Sequence, residues 1–275
     1  YLDDALYELG NTYTAEEMND KAISTFDNLI NNNKNSAYVA KSILKQGLIY
    51  YNTDKDDAAI TKFKKVVAEF PNSPESLEAV ATAKSIYKAN GKVGEYAAWV
   101  KTLSFVEVTD AELDNDMYES AEKQYLNNSP KKAIEGFTSY LAQFPNGLHA
   151  LKVHFYLAQL YFADKLEKNA IPHYDYVIAQ ARNEFTEQAL VRLSEIHLKD
   201  KNCELAISVL KQVETIAEFP QNTTFAQANL MKCYYEKQDF VNSEIYADKV
   251  LKNPKMDDKI KSDAQIIIAR SAIKT

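Results

Sequence analysis

Glycine and proline are scarce in this chain, six and seven among 275 residues. An all-β fold needs both at its many tight turns, so their scarcity argues against one. Positive charge is scarce too. Lys and Arg total 32 against 39 Asp and Glu, and they are interspersed with acids rather than clustered. A nucleic-acid partner requires a basic face to neutralise phosphates, so none is expected. No apolar run is long enough to cross a bilayer, and no membrane insertion is expected. The only two cysteines, Cys203 and Cys233, form no Cys-x-x-Cys pair. They read as two free, mostly buried thiols, with a disulfide between them as the alternative. The four histidines, His149, His154, His173 and His197, lack ligand spacing, and His197 reads as a buried core histidine. Glycine-rich phosphate loops, Gly-x-Ser-x-Gly and a Cys/His dyad are all missing. The expectation is therefore no enzyme, no metal and no cofactor.

What the chain does have is repetition. "AITKFKKVVAEFPNS" fills residues 59–73 and "AIEGFTSYLAQFPNG" fills 133–147. The opening Ala has equivalents at Ala22, Ala59, Tyr96, Ala133, Ala170, Ala206 and Ser243, in steps of 36 or 37 residues. Four residues later stand Phe26, Phe63, Val100, Phe137, Tyr174, Leu210 and Ala247. Twelve residues before each Ala comes a second small-residue column: Gly10, Gly47, Lys84, Ala121, Ala158, Ser194 and Met231, with Ala269 as an eighth. Apolar residues surround this column at helical spacing, as in Leu6, Leu9, Gly10 and Tyr13. Each unit thus reads as two helices brought close by small residues. Three Phe-Pro pairs, at Phe70, Phe144 and Phe219, read as stops for the second helix. Pro172 implies that the second helix of the fifth unit starts late, near Asn169, or kinks. The third unit, with Lys84 and Tyr96 at the two small positions, departs most, and close packing is least expected there. Trp99 reads as packing between repeats.

Leu9-Gly10-x-x-Tyr13 followed by Ala22 and Phe26, and above all Gly47, Tyr50, Ala59, Phe63 and Pro71, resemble the tetratricopeptide repeat. The resemblance runs along essentially the whole chain. It implies an all-α, right-handed superhelix of about seven helix pairs plus one extra helix, forming one solenoid. The approximate units are 1–39, 40–76, 77–113, 114–150, 151–186, 187–223 and 224–261, with a partial 262–275. Tyr1 opens directly on a helical pattern, so the chain reads as a piece of a longer array. The Phe-Pro-Asn endings and the long unit resemble bacterial envelope members of the family, which implies a periplasmic or outer-membrane-associated location.

A single helix pair cannot bury its apolar face alone, so stacked pairs share a core and leave long surfaces for partners. In such a superhelix the first helices line the concave side. The expected groove residues are Tyr7, Asn11, Leu44, Tyr51, Tyr118, Tyr125, Phe155, Gln159, Phe162 and Tyr235, where aromatic and aliphatic side chains replace the polar ones of a solvated face. Tyr118 and Phe155 are read as standing out into the groove, at its centre. The function expected is a non-catalytic scaffold that binds a peptide or helix of a partner protein. The alternatives are a homotypic assembly module, pairing through exposed solenoid ends, and glycan or small-molecule capture on the groove aromatics.

Overall fold

The computed structural model describes residues 1–274 and contains fifteen helices and no strand among them. Packing divides the chain into two compact units, Tyr1–His149 and Ala150–Thr275. The first unit holds α1 (Leu2–Ala15), α2 (Asn19–Asn32), α3 (Val39–Asn52), α4 (Asp56–Glu69), α5 (Pro74–Ala89), α6 (Val93–Val100), α7 (Asp110–Leu126) and α8 (Pro130–Gln143). The second holds α9 (Ala150–Ala163), α10 (Glu167–Ala179), α11 (Thr186–Lys199), α12 (Cys203–Ile216), α13 (Pro220–Glu236), α14 (Phe240–Lys252) and α15 (Asp258–Lys274). In each unit consecutive helices pair as hairpins. The second helix of a hairpin also packs on the first helix of the next.

The two small-residue columns explain how the hairpins close. An ideal Cβ placed on Gly10 would lie 2.5 Å from Cε1 of Phe26, and one on Gly47 would lie 2.5 Å from Cε1 of Phe63. The aromatic of the second helix therefore sits flat on the small residue of the first. Phe26, Phe63, Val100, Phe137, Tyr174, Leu210 and Ala247 are all buried, as are Ala22, Ala59, Tyr96, Ala133, Ala170, Ala206 and Ser243. Burying this stripe is the main source of stability in such a stack, at about 25 cal/mol per Å² of apolar surface.

Each hairpin turn is built the same way. Glu17, Asp54, Gly91, Asn128, Lys165, Lys201 and Gln238 take left-handed backbone conformations, with φ between 54° and 75°. The residue after each donates its N–H back to a carbonyl in the last turn of the first helix, as from Met18 to Tyr13, Lys55 to Tyr50 and Asn202 to His197. This ending satisfies carbonyls that a helix terminus leaves open. Only one of the seven positions is glycine, so side chains elsewhere tolerate a conformation that costs roughly 1 kcal/mol.

The third hairpin is the irregular one. α6 has only eight residues, and a stretch of turns and irregular chain follows it before Thr109 caps α7 through a capping box with Glu112. Lys84 is half-buried rather than packed, and it pairs with Asp116 of α7 at 2.6 Å. Trp99 packs edge-on to Tyr96 with the Lys64 ammonium over its ring.

Local readings of the sequence are corrected at four places. Pro220 opens α13 at its first position, where its missing N–H is no loss, rather than ending α12. α10 begins at Glu167 and runs through Pro172 instead of starting near Asn169. In α15 the buried frame is Ala264, Ile267 and Ser271, so Ala269 faces outward. Cys203 and Cys233 are joined in a disulfide rather than free. The antiparallel packing of α12 and α13 brings their Cα atoms to 5.2 Å, within the range a disulfide requires.

Candidate functional site

The first helix of each hairpin carries the residues expected to meet a partner, and the structure sorts them into two groups. Leu44, Tyr118 and Phe155 are buried, so the expectation that Tyr118 and Phe155 stand out in a groove is corrected. Tyr118 is 4% exposed and stacks on His149, with ring centroids 4.0 Å apart. Its hydroxyl bonds the Glu122 carboxylate. Phe155 is 7% exposed and stacks on Phe185 at 4.3 Å. Tyr7 does the same with Tyr38 at 4.7 Å. In all three cases the partner ring stands just before, or at the start of, the next first helix. This column is thus a seam between successive repeats, because a side chain three residues before the small position leans toward the following hairpin.

The other residues keep accessible surface. Tyr51 is 39% exposed. Tyr7, Asn11, Tyr125, Gln159, Phe162 and Tyr235 are half-buried. Burial pushes the Tyr7 phenol above its ordinary pKa, against a hydrogen bond with Asn11 that lowers it. Tyr125 tilts against Phe137, and Tyr235 meets Phe240 edge-on.

In the second unit the first-helix surface opens into a cleft of about 450 Å³. Its floor comes from Val191, Arg192 and Glu195 of α11. Its rim comes from the turns before α11 and α13, with Arg182, Glu218 and Phe219. Column spacing put Val191 and Glu195 on the groove face and Phe219 was read as a helix stop, but sequence reasoning did not single out Arg182, Arg192 or Glu218. Val191 occupies the same column as Phe155. Phe219 is 57% exposed at the edge. The Arg192 guanidinium lies 4.8 Å over the ring of Phe162 and donates to Glu195 at 2.7 Å. Its Nε is buried with no protein acceptor, and so is the amide nitrogen of Gln159 on α9. Buried donors of this kind carry a cost of about 1–3 kcal/mol each until something accepts from them. Glu187 fixes the rim: it accepts from the backbone N–H groups of Glu218 and Phe219 and from Asn222. Burial raises its pKa, but these donors outweigh burial and hold it below the ordinary value.

Residues 4–36 and 41–73, the first two hairpins, match the family profile of the tetratricopeptide repeat. These two hairpins are tetratricopeptide repeats. Repeats of this family are scaffolds for protein–protein interaction. No curated protein matches the chain. Among solved structures it is similar to the C-terminal part of a TPR repeat-containing protein from Cytophaga hutchinsonii, at 15% identity, covering 93% of this chain and 98% of that one with a TM-score of 0.43. It is also similar to PilW, a type IV pilus biogenesis factor, at 12% identity, 95% and 98% coverage and a TM-score of 0.39. PilF of Pseudomonas aeruginosa is 15% identical over 82% of this chain and 96% of that one, with a TM-score of 0.37.

Among the described residues no three His, Cys, Asp or Glu side chains come together as metal ligands, and no helix is long and apolar enough to cross a membrane. The structure does join two histidines that looked unrelated in sequence, His154 and His173.

Proposed function

We propose that this chain is a non-catalytic scaffold that takes a segment of a partner protein along the first-helix surface of its second unit, with the cleft on α11 and α13 as its anchor. The observation that carries this reading is the cleft itself. It combines an exposed aromatic at the rim, Phe219, with the charged side chains of Arg182, Arg192, Glu195 and Glu218. Exposed aromatics give a partner apolar surface to bury, and the charged rim suits the polar groups of an extended segment. Gln159, Phe162 and Tyr235 remain part of this surface of the second unit, and Tyr51 stays accessible on the first unit. Phe155, stacked on Phe185, lies behind it.

The test is affinity capture with mass spectrometry, comparing the native chain with an Arg192→Glu/Phe219→Ala variant of equal helicity. Both positions are accessible, so the fold should survive. Proteins retained by the native chain and lost by the variant support the cleft, and equal recovery by both overturns it.

The disulfide supports the expected location. Disulfides persist in oxidising surroundings, so we place the protein outside the cytoplasm, in a periplasm-like or cell-envelope setting. Rapid alkylation of thiols in intact cells reads this directly, since Cys203 and Cys233 should be protected until a reductant is added.

A further inference from the structure

His154 lies on α9 and His173 on α10, and their Nδ1 atoms meet at 2.8 Å. Two nitrogens at that distance need one proton between them, so one ring donates and the other accepts. Each ring is also held from its flank. Tyr176 of α10 stacks on His154 at 3.7 Å, and Tyr161 of α9 lies parallel to His173 at 5.8 Å. The contact therefore ties the two helices of this hairpin together at mid-length.

The segment it ties is weak in its own right. Pro172 stands immediately before His173 inside α10 and has no N–H to give to the carbonyl four residues back. The first turn of α10 thus depends more than its neighbours on tertiary contacts. One of these is the ion pair of Glu167 with Lys199 of α11, and the other is the histidine pair.

We propose that His154 and His173 form an acid-operated latch on the α9/α10 hairpin, closed while the rings share a single Nδ1 proton and released when both nitrogens carry one. A first added proton can settle on the outer nitrogen of the donor ring and leave the bond intact. The second puts N–H against N–H and sets two positive charges face to face in a half-buried site. No carboxylate relieves them. Burial first, and then the charge of the neighbouring ring, brings His154 down from 6.5 to about 4, and burial lowers His173. The phenols of Tyr161 and Tyr176 flank the pair. α11, which packs on α10, brings His197 toward Asp175, whose carboxyl burial raises and His197 lowers.

The sign follows from linkage. Both rings bind protons more weakly in the closed hairpin than in an open one. Closure is therefore at full strength above pH 6.5, weakens as pH falls toward 4 and levels off below. A depression of this size, discounted for partial exposure, corresponds to an opening constant on the order of 100-fold larger at the acid end.

Hydrogen exchange resolved by peptide and corrected for intrinsic rates tests this on the whole chain, from pH 7 to pH 4.5. The native chain should lose protection over residues 150–179 by tens-fold, while residues 220–252 hold theirs. In His154→Phe, which keeps the stack on Tyr176 and removes one of the two titrating rings, protection over 150–179 should respond to pH much less than in the native chain, the remainder coming from buried His173. His173→Phe should behave alike. A native hairpin whose protection ignores pH, a loss that spreads equally to 220–252, or an unchanged pH response in both Phe variants overturns the latch.

Discussion

Gly47→Ala should destabilise the protein, although alanine is the better helix former. The new Cβ would stand 2.5 Å from Cε1, 2.8 Å from Cδ1 and 3.2 Å from Cζ of Phe63. Carbon atoms prefer roughly 3.5–4.0 Å, so the ring or the helix has to retreat by about 1 Å. Phe63 cannot do so freely, because it is fully buried. Overpacking of this kind costs about 1–3 kcal/mol, and replacing a helical glycine returns about 0.5–1 kcal/mol. The net loss expected is about 0.5–2 kcal/mol. Urea unfolding followed by circular dichroism measures it, and a double-mutant cycle isolates the cause. With Phe63→Leu in place the ring is gone, and adding Gly47→Ala should be neutral or stabilising. A Gly47→Ala protein more stable than the native one, or an equal loss in both backgrounds, would refute the claim that the glycine exists to seat the phenylalanine.

Phe155→Ala should cost about 3–4 kcal/mol in unfolding free energy, because it leaves a cavity against Phe185; a groove-exposed ring would cost almost nothing. Reduction of Cys203–Cys233, or Cys203→Ser with Cys233→Ser, should lower stability by about 2–4 kcal/mol, since the bridge closes a sequence separation of 30; urea titrations with and without reductant read it. Lys165→Gly should raise stability by up to about 1 kcal/mol in the same titration, because φ at that turn is 61°. Asp116 is raised by burial but held below its usual pKa by Lys84 and Lys88, at 2.6 and 2.9 Å. Its pairing therefore stabilises the fold above pH 3.8 and fades as pH falls further, and Asp116→Asn should remove about 0.5–1 kcal/mol at neutral pH and flatten that part of the pH–stability curve.

Much of the site was written in the sequence in a form that could be misread. Tyr118 and Phe155 were visible as aromatics on a face where a solvated helix is polar. The rings that stack on this column had a matching place too: Tyr38, His149 and Phe185 stand just before the first helices α3, α9 and α11. Pairing those two columns in advance would have assigned Tyr118 and Phe155 to the seam. The histidine pair had a similar signal, His154 on the core face of one helix and His173 three residues past the small Ala170 of the next. The cleft around Arg192 had less. It depends on turns before α11 and α13 whose backbone N–H groups are gathered by Glu187, and no local pattern announces that contact.

The sequence by itself determined the helices, their pairing and the residues on which they close. A helix pair with glycine or alanine facing an aromatic has one close-packed solution, and local spacing specifies it. Tertiary structure alone decided the rest. Lysine, glutamate and glutamine adopt left-handed turns because packing of the flanking helices outweighs about 1 kcal/mol of local preference. Cys203 meets Cys233 because antiparallel helices bring opposite ends of α12 and α13 side by side. Exposure along the first-helix face is set by what the following hairpin lays over it, and that information lies a full repeat away in the chain.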